Sequence, residues 1–347
     1  MFVAWRDLRF ARGRFALMGT VIVLITLLVG LLSGLTAGLA RDNTSAVTGL
    51  SADHLAFAAP PSGQSASFTG SQLPQSAWRT WAAQPGVKSA QPVAIGTGNA
   101  EAGSRTAAVS EFAVRPGSGL APAEPGHSGV VLSRGAADDL GAAAGDTVTL
   151  SGRKFKVTAV AGDDSYSHTP VAWTSLRAGE HASVVALTTT GGADLGAGDR
   201  AAGTKTLTLD GSLSALPSYQ AENGSLQLMR GFLFVISAMV IGAFFTVWTI
   251  QRSGDIAVLK ALGASTPYLL RDALGQAVLM LLAGTLLGTA IAAGVGAVVP
   301  ASVPFVLDPL TSLFPAAVIV ALGVLGAALS IRRITAVDPL TALGSAR

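Results

Sequence analysis

Hydrophobic positions fall in four long unbroken stretches, and the one extended region between the first two has short, mixed patterning. The stretches are Phe15–Ala40, Leu228–Ile250, Ala273–Val299 and Leu313–Ile331. Each reaches the roughly 20 residues that a helix needs to cross about 30 Å of hydrocarbon. The first resembles a signal peptide in its basic flank and in Gly38-Leu39-Ala40, which looks like a cleavage site. Its apolar core exceeds the roughly 7–15 residues of a signal sequence, so an uncleaved helix is expected.

Residues 41–227 read as small α+β structure. Val87–Ile95 and Ala107–Val114 alternate as strands do, and Ser76–Gln84 sets Trp78 and Trp81 three residues apart on one helical face. Gly129–Ser133 predicts a strand and Arg134–Leu140 a short helix. The turns Gly145-Asp146 and Ser151-Gly152 bracket Thr147–Leu150, so Phe155–Val160 should pair back as a hairpin. The chain then returns to the membrane through Leu213–Gln227.

Charge adds a direction. Arg6, Arg9, Arg12 and Arg14 precede the first stretch, Arg252, Lys260 and Arg271 lie around the loop after the second, and Arg332, Arg333 and Arg347 follow the fourth. The 300–312 turn has Asp308 and no Lys or Arg. The positive-inside rule therefore predicts cytoplasmic segments at 1–14, 251–272 and 332–347. Residues 41–227 and 300–312 lie outside, and spans occupy 15–40, 228–250, 273–299 and 313–331. The fold class expected is an α-helical membrane protein with four transmembrane helices, plus an α+β extracytoplasmic domain between helices 1 and 2.

Composition agrees: only 12% of the 347 residues are charged and mean hydropathy is +0.53, against about 25% charged in soluble domains. The outer segment has 12 Lys/Arg against 15 Asp/Glu, and no basic run is interleaved with aromatics, so nucleic acid is not an expected partner. Cysteine is absent, which removes disulfides and thiolate sites. The Gly198–Thr206 stretch lacks the Gly-Lys-Ser/Thr order that cradles phosphate. Gly126-His127-Ser128-Gly129 lacks the spacing of a nucleophile elbow and reads as a turn. His54, His127, His168 and His181 are scattered without metal-ligand spacing, so no metal site is expected. No ionisable residue sits mid-span, and Gln276 is the most polar group in the third, so an ion-driven transporter is disfavoured. Neither intrinsic catalysis nor an intrinsic cofactor is expected. Gly30, Gly34 and Gly38, with Gly284 and Gly288, recur at four-residue spacing and predict close helix packing, within one chain or between two.

The most informative segment is Gln251–Ser265, too polar for lipid and too short for a domain. Ser253 can cap a short helix, Asp255 suits its N-terminal dipole, and Gly263 can end it. Asp255-Ile-Ala-Val-Leu-Lys-Ala-Leu-Gly-Ala-Ser265 resembles the coupling segment of the FtsX-like permease family, the MacB-type (type VII) ABC transporter subunits. Asp255 stands where that family usually has Glu, and Lys260 where it has Arg. The order of one span, a large outer domain and three spans is similar too, as are the Val130–Val160 pattern and the ending from Arg332 to Leu343. The resemblance implies a homodimer in membrane lipid, coupled to two copies of a separate ATPase that binds ATP and Mg. Asp255, Ile256, Leu259, Lys260, Gly263, Ala264 and Ser265 would then be the docking element through which motion is transmitted to the second and third spans.

Within the family, the Met1–Leu17 opening looks most like the haem-efflux branch (HrtB type) of Gram-positive bacteria. Haem as transported substrate needs an axial ligand and cations for its propionates. Glu222 or Tyr219 would supply the ligand and Arg230 the cation, with Met229 beside them; Tyr219 and Arg230 equally suit interfacial anchors. A bacterial cell-membrane location follows. A different class remains open: a regulatory subunit that passes ATPase motion to a cell-wall enzyme, as FtsX does. A membrane-anchored binding protein without an ATPase is the third reading, and predicts that charge reversal at Asp255 and Lys260 is silent.

Overall fold

A computed structural model describes residues 12–251, 254, 258–260, 262–300 and 303–335. The chain forms two compact units, one from residues 1–38 with 225–347, the other Leu39–Gly224. The boundaries fall inside two continuous helices.

The first unit is helical: α1 (Arg12–Thr48) contributes its N-terminal part, followed later in the chain by α6 (Pro217–Gln251), α7 (Thr266–Ala297) and α8 (Pro309–Thr335). All four are long and apolar enough to cross a membrane. Each is longer than the stretch predicted from hydropathy, although α7 stops at Ala297, short of Val299. At 37 residues α1 is about 55 Å long, well beyond the hydrocarbon thickness. The second helix begins at Pro217 rather than Leu228, and the third at Thr266 rather than Ala273. Hydropathy marks only what lipid demands, whereas backbone hydrogen bonding continues until a breaker intervenes. Pro217 is such a boundary, since proline fits a first helical turn, where its missing N–H would have no partner in the helix. Asp308 starts α8: its Oδ1 accepts the Thr311 N–H at 2.8 Å, with Pro309 next in line.

The bundle core joins Met18, Ile22 and Val29 of α1 to Ile241, Phe245 and Trp248 of α6, Met280 and Leu281 of α7, and Ile319 of α8. Gln276 is 1% exposed and donates to Asp272 Oδ2 at 3.0 Å, which relieves the cost of burying its amide.

The second unit is built on a 10-stranded sheet. Its elements are β1 (His54–Ala58), α2 (Gln75–Ala82), β2 (Val87–Ala102), β3 (Arg105–Val114), β4 (Gly129–Leu132), α3 (Arg134–Leu140), β5 (Thr147–Leu150) and β6 (Arg153–Val160). There follow β7 (Ser165–Tyr166), β8 (Thr169–Ser175), β9 (Val184–Thr189), α4 (Leu195–Ala202), β10 (Thr204–Thr208) and α5 (Leu209–Ser212). The strand order is β10-β1-β9-β2-β3-β8-β4-β6-β5, with β7 on β8. Ala100 and Glu101 of β2 also pair with Leu150 and Thr149 of β5, so six strands close into a ring.

The β4-to-β6 region forms as its turn chemistry predicts. Ser133 caps α3 by accepting the Ala136 N–H, and Gly141 closes it at φ 60°. Three cores fill the unit. Ala100, Val130, Leu132, Leu140, Val148 and Val157 pack together beneath α3. Phe57, Phe68, Phe112, Tyr166 and Trp173 form a contiguous aromatic file with ring centroids 4.9–5.8 Å apart. Trp78 and Trp81 of α2 are both buried, against β1 and β9, as their spacing predicts. The glycine-rich Gly198–Thr206 stretch serves packing: Gly198 of α4 lies on the Trp81 ring, leaving no room for a side chain. Trp81 Nε1 donates to Thr204 Oγ1 at 3.0 Å, which donates in turn to Asp199.

Candidate functional site

The segment between α6 and α7 is the first candidate. Asp255 and Ile256 lie outside the described residues, as does Ser253. Residues 258–260 are helical, and Gly263, at φ 95°, ends that turn in a left-handed conformation open to glycine. Gly263 N–H donates to Lys260 C=O at 3.1 Å and Ala264 N–H to Leu259 C=O at 3.0 Å. These two bonds are the Schellman pair, which satisfies carbonyls that the helix end would leave bare. Ser265 then opens α7 through its backbone: its carbonyl accepts the Tyr268 and Leu269 N–H groups, and its side chain makes no capping hydrogen bond. The turn leaves Val258, Leu259 and Leu262 outward, Leu262 at 79% exposure.

The four residues expected to hold a ligand all lie on α6. Tyr219 and Glu222 belong to the outer unit, Met229 and Arg230 to the helical one. Tyr219 packs against the aromatic core of the outer unit. Met229 is 53% exposed, and Arg230 has its Nε enclosed without a hydrogen-bond partner.

Glu222 belongs to a polar cluster that sequence spacing concealed. Its Oε1 lies 2.9 Å and its Oε2 3.0 Å from His168 Nε2, while His168 Nδ1 lies 3.1 Å from Asp42 Oδ2 on α1. Asn43 Nδ2 donates to Glu222 Oε2 at 3.3 Å, and Ser218 Oγ to Asn43 Oδ1 at 2.8 Å. His168 sits in the β7–β8 turn, where it and Ser167 both have positive φ, 62° and 52°. Two central residues of that sign match the I′ turn that suits hairpin twist, at a steric cost because neither is glycine. Both imidazole nitrogens face carboxylates, which accept but do not donate when ionised, so the arrangement calls for the doubly protonated ring. Burial pulls the His168 pKa down, but hydrogen bonds and charge from Asp42 and Glu222 outweigh it and raise the value. His168 thus ties the end of α1 to the start of α6 inside the outer unit. Among the described residues no group of three His, Asp or Glu has geometry for a metal ion.

The small-residue positions meet other parts of the same chain. A methyl on Gly284 would stand 2.8 Å from Ile22 Cγ2, and one on Gly288 would stand 2.7 Å from Thr26 Cβ. Gly30 faces Ala292 in the same way, while Gly34 and Gly38 lie against Phe305 and Pro304 of the 300–308 turn. Val306 N–H donates to Gly34 C=O at 3.1 Å, fastening that turn to α1. All five glycines serve close approach within one chain, the first of the two packings the spacing allowed.

Comparison with known proteins follows this division. Residues 16–203, more than half of the chain, match the MacB-like periplasmic core domain, and residues 228–339 match the FtsX-like permease C-terminal model. A protein of Staphylococcus haemolyticus named as a hemin transport system permease, HrtB, is 28% identical over 364 residues, covering 99% of each chain. The protein of that name in Staphylococcus epidermidis (strain ATCC 12228) is 26% identical over 350 residues, again covering 99% of each. Among solved structures, the periplasmic region of MacB from Actinobacillus actinomycetemcomitans aligns at TM-score 0.35 and 15% identity, covering 47% of this chain and 92% of that one. With a periplasmic-core match over most of its first two-thirds and an FtsX-like match over its last three membrane-length helices, the chain belongs to the MacB/FtsX family of ABC transporter permeases, as a multi-pass protein of the cell membrane.

Proposed function

We propose that this permease is the non-catalytic membrane subunit of an exporter, driven by a separate ATPase through the segment Asp255–Ser265. The observation that carries this reading is the glycine-closed helical turn between α6 and α7, which presents Val258, Leu259 and Leu262 outward between two membrane-length helices. Exposed apolar side chains on a polar connector favour a protein partner over solvent. Arg and Lys bias supports a cytoplasmic position for this segment and both termini, where ATP is available. ATP and Mg reside on the partner, present in two copies, and this chain forms a homodimer. The homodimer is the assembly that the resemblance to this permease family implies.

The cargo is a hydrophobic or amphipathic compound taken from the membrane, with haem the leading candidate. The relatives named for hemin transport support that choice, since they align along nearly the whole chain. Tyr219, Glu222, Met229 and Arg230 are the candidate ligand set. Glu222 would bind iron only after giving up His168, so a neutral His168 favours the ligand-ready state.

The test pairs co-purification with turnover. The wild-type chain should retain an ATPase and raise its hydrolysis when haemin is added. Leu259→Asp with Leu262→Asp, both outward-facing, should lose the ATPase while the chain still folds. Retention by that variant would remove the docking role. Absence of a Soret shift on haemin titration, or a shift unchanged by Glu222→Ala with Tyr219→Ala, would remove the ligand set.

A further inference from the structure

Two cavities of similar size open on the outer unit, and their charges differ. The first, about 490 Å³, is flanked by Arg153 and Arg177, each already paired: Arg153 with Glu111 at 2.9 Å and Arg177 with Glu180 at 2.8 Å. The second, about 520 Å³, shares Arg177, Glu180 and His181 with the first and adds Arg79 and Arg115. Among the described residues, neither Arg79 nor Arg115 has an ion-pair partner, and both are exposed. Glu180 is the one carboxylate lining this second cavity, and Arg177 holds it in a bidentate pair through Nε and Nη2. The cleft therefore carries two uncommitted guanidinium groups in a segment that is acidic as a whole, with 12 Lys/Arg against 15 Asp/Glu. Like charges gathered without counter-charges repel one another, so the arrangement favours an anion from outside.

The apolar lining of the second cavity is Pro74, Ala82, Pro116 and Leu176, with Trp78 reaching it only by an edge, at 6% exposure. Its frame is held by the sheet. Arg79 rides on α2, whose buried face is Trp78 and Trp81, and Arg115 follows the last residue of β3. Leu176 N–H donates to Val114 C=O at 2.8 Å, and Leu73 and Ala182 exchange hydrogen bonds at 2.8 and 2.9 Å. The three segments that supply the cations are thus anchored beside one another by backbone bonds. A cavity of this volume is within the range that takes small organic ligands.

We infer that this cleft binds an amphipathic organic carboxylate, with its apolar body on Pro74, Ala82, Pro116 and Leu176 and its anionic groups on Arg79 and Arg115. Guanidinium forks match carboxylates in a bidentate way. This inference rests on the exporter reading for the source of the ligand, a compound delivered outside the membrane. It assigns the outer unit a receiving site separate from the residues of α6.

The test uses the full chain in phosphatidylcholine nanodiscs, titrated with protoporphyrin IX and with its dimethyl ester. The wild type should bind the diacid at least about tenfold more tightly than the ester, as expected for charge-assisted hydrogen bonds. Arg79→Gln with Arg115→Gln should erase that preference and leave ester binding unchanged. Equal binding of diacid and ester by the wild type overturns the inference, as does a double variant that keeps the preference. No binding of the diacid by the wild type overturns it too. Haemin-stimulated ATP hydrolysis is measured in parallel on the wild type and the double variant, each with its copurified ATPase. Stimulation that persists while the cleft fails leaves the exporter reading standing, and stimulation absent in the wild type removes that reading instead.

Discussion

The two units of this chain solve opposite packing problems with the same apolar residues. In the outer unit the largest side chains go inward: Phe57, Phe112, Trp81 and Trp173 are each no more than 2% exposed. In the helical unit, Leu228, Phe232, Met239, Leu286, Leu310 and Leu329 face outward, and only 22–28% of each membrane-length window is buried. Where lipid replaces water there is no gain from hiding leucine, so helices are held by shape. The small residues at Gly284 and Gly288 then do what aromatics do in the sheet domain.

That contrast predicts an order of effects. Trp173→Ala should be the most damaging, at about 3–5 kcal/mol, because a large ring is removed from a filled core. Limited proteolysis should show the outer unit cut; if it resists as the wild type does, the aromatic file does not hold that unit together. Next comes Gly288→Leu, at about 1–3 kcal/mol from overpacking against Thr26, seen as a lower aggregation temperature in detergent. Gly231→Leu, on α6 with open space around it, should be silent by comparison. Equal effects at the two positions would show that shape does not govern the helical unit.

Gly263→Ala should cost about 1 kcal/mol, because a side chain is strained at φ 95°. Its readout is weaker ATPase co-purification with little change in thermal stability. The smallest effect belongs to His168. Its raised pKa means that its ion pairs are fully formed below the ordinary imidazole value, near 6.5, and are lost as pH climbs through the raised value. At about one-third exposure the contribution is screened and stays below about 1 kcal/mol. Hydrogen exchange at Ser165–Thr169 should quicken in the wild type as pH rises above the ordinary imidazole value, with a flat profile in His168→Gln after correction for intrinsic rates. A flat wild-type profile would mean that the cluster does not titrate as a clasp.

Sequence patterning revealed what is local. Gly145-Asp146 and Ser151-Gly152 carry their own structural instructions, so the β5–β6 hairpin was readable from short-range rules. Gly263 was readable for the same reason. The partners of β1, β9 and β10 were not, since pairing His54 with Thr208 depends on contacts more than 150 residues apart in sequence. Nor was the His168 cluster, whose members come from positions 42, 168 and 222. The cationic cleft was hidden likewise: Arg79, Arg115 and Arg177 look like scattered surface charges until the sheet gathers them. The extra turns of α1 and α6 escaped because hydropathy falls at the headgroups while the helix does not stop there.

Strand β2 serves two neighbourhoods at once. Its first half pairs with β9, and its second half is held between β3 and β5. A force directed along β2 would load its ten register pairs with β3 in shear, all together, rather than peeling them one at a time. The strand would therefore act as a stiff strut in the outer unit, and a displacement applied at one end would reach the far end with little lost to local stretching.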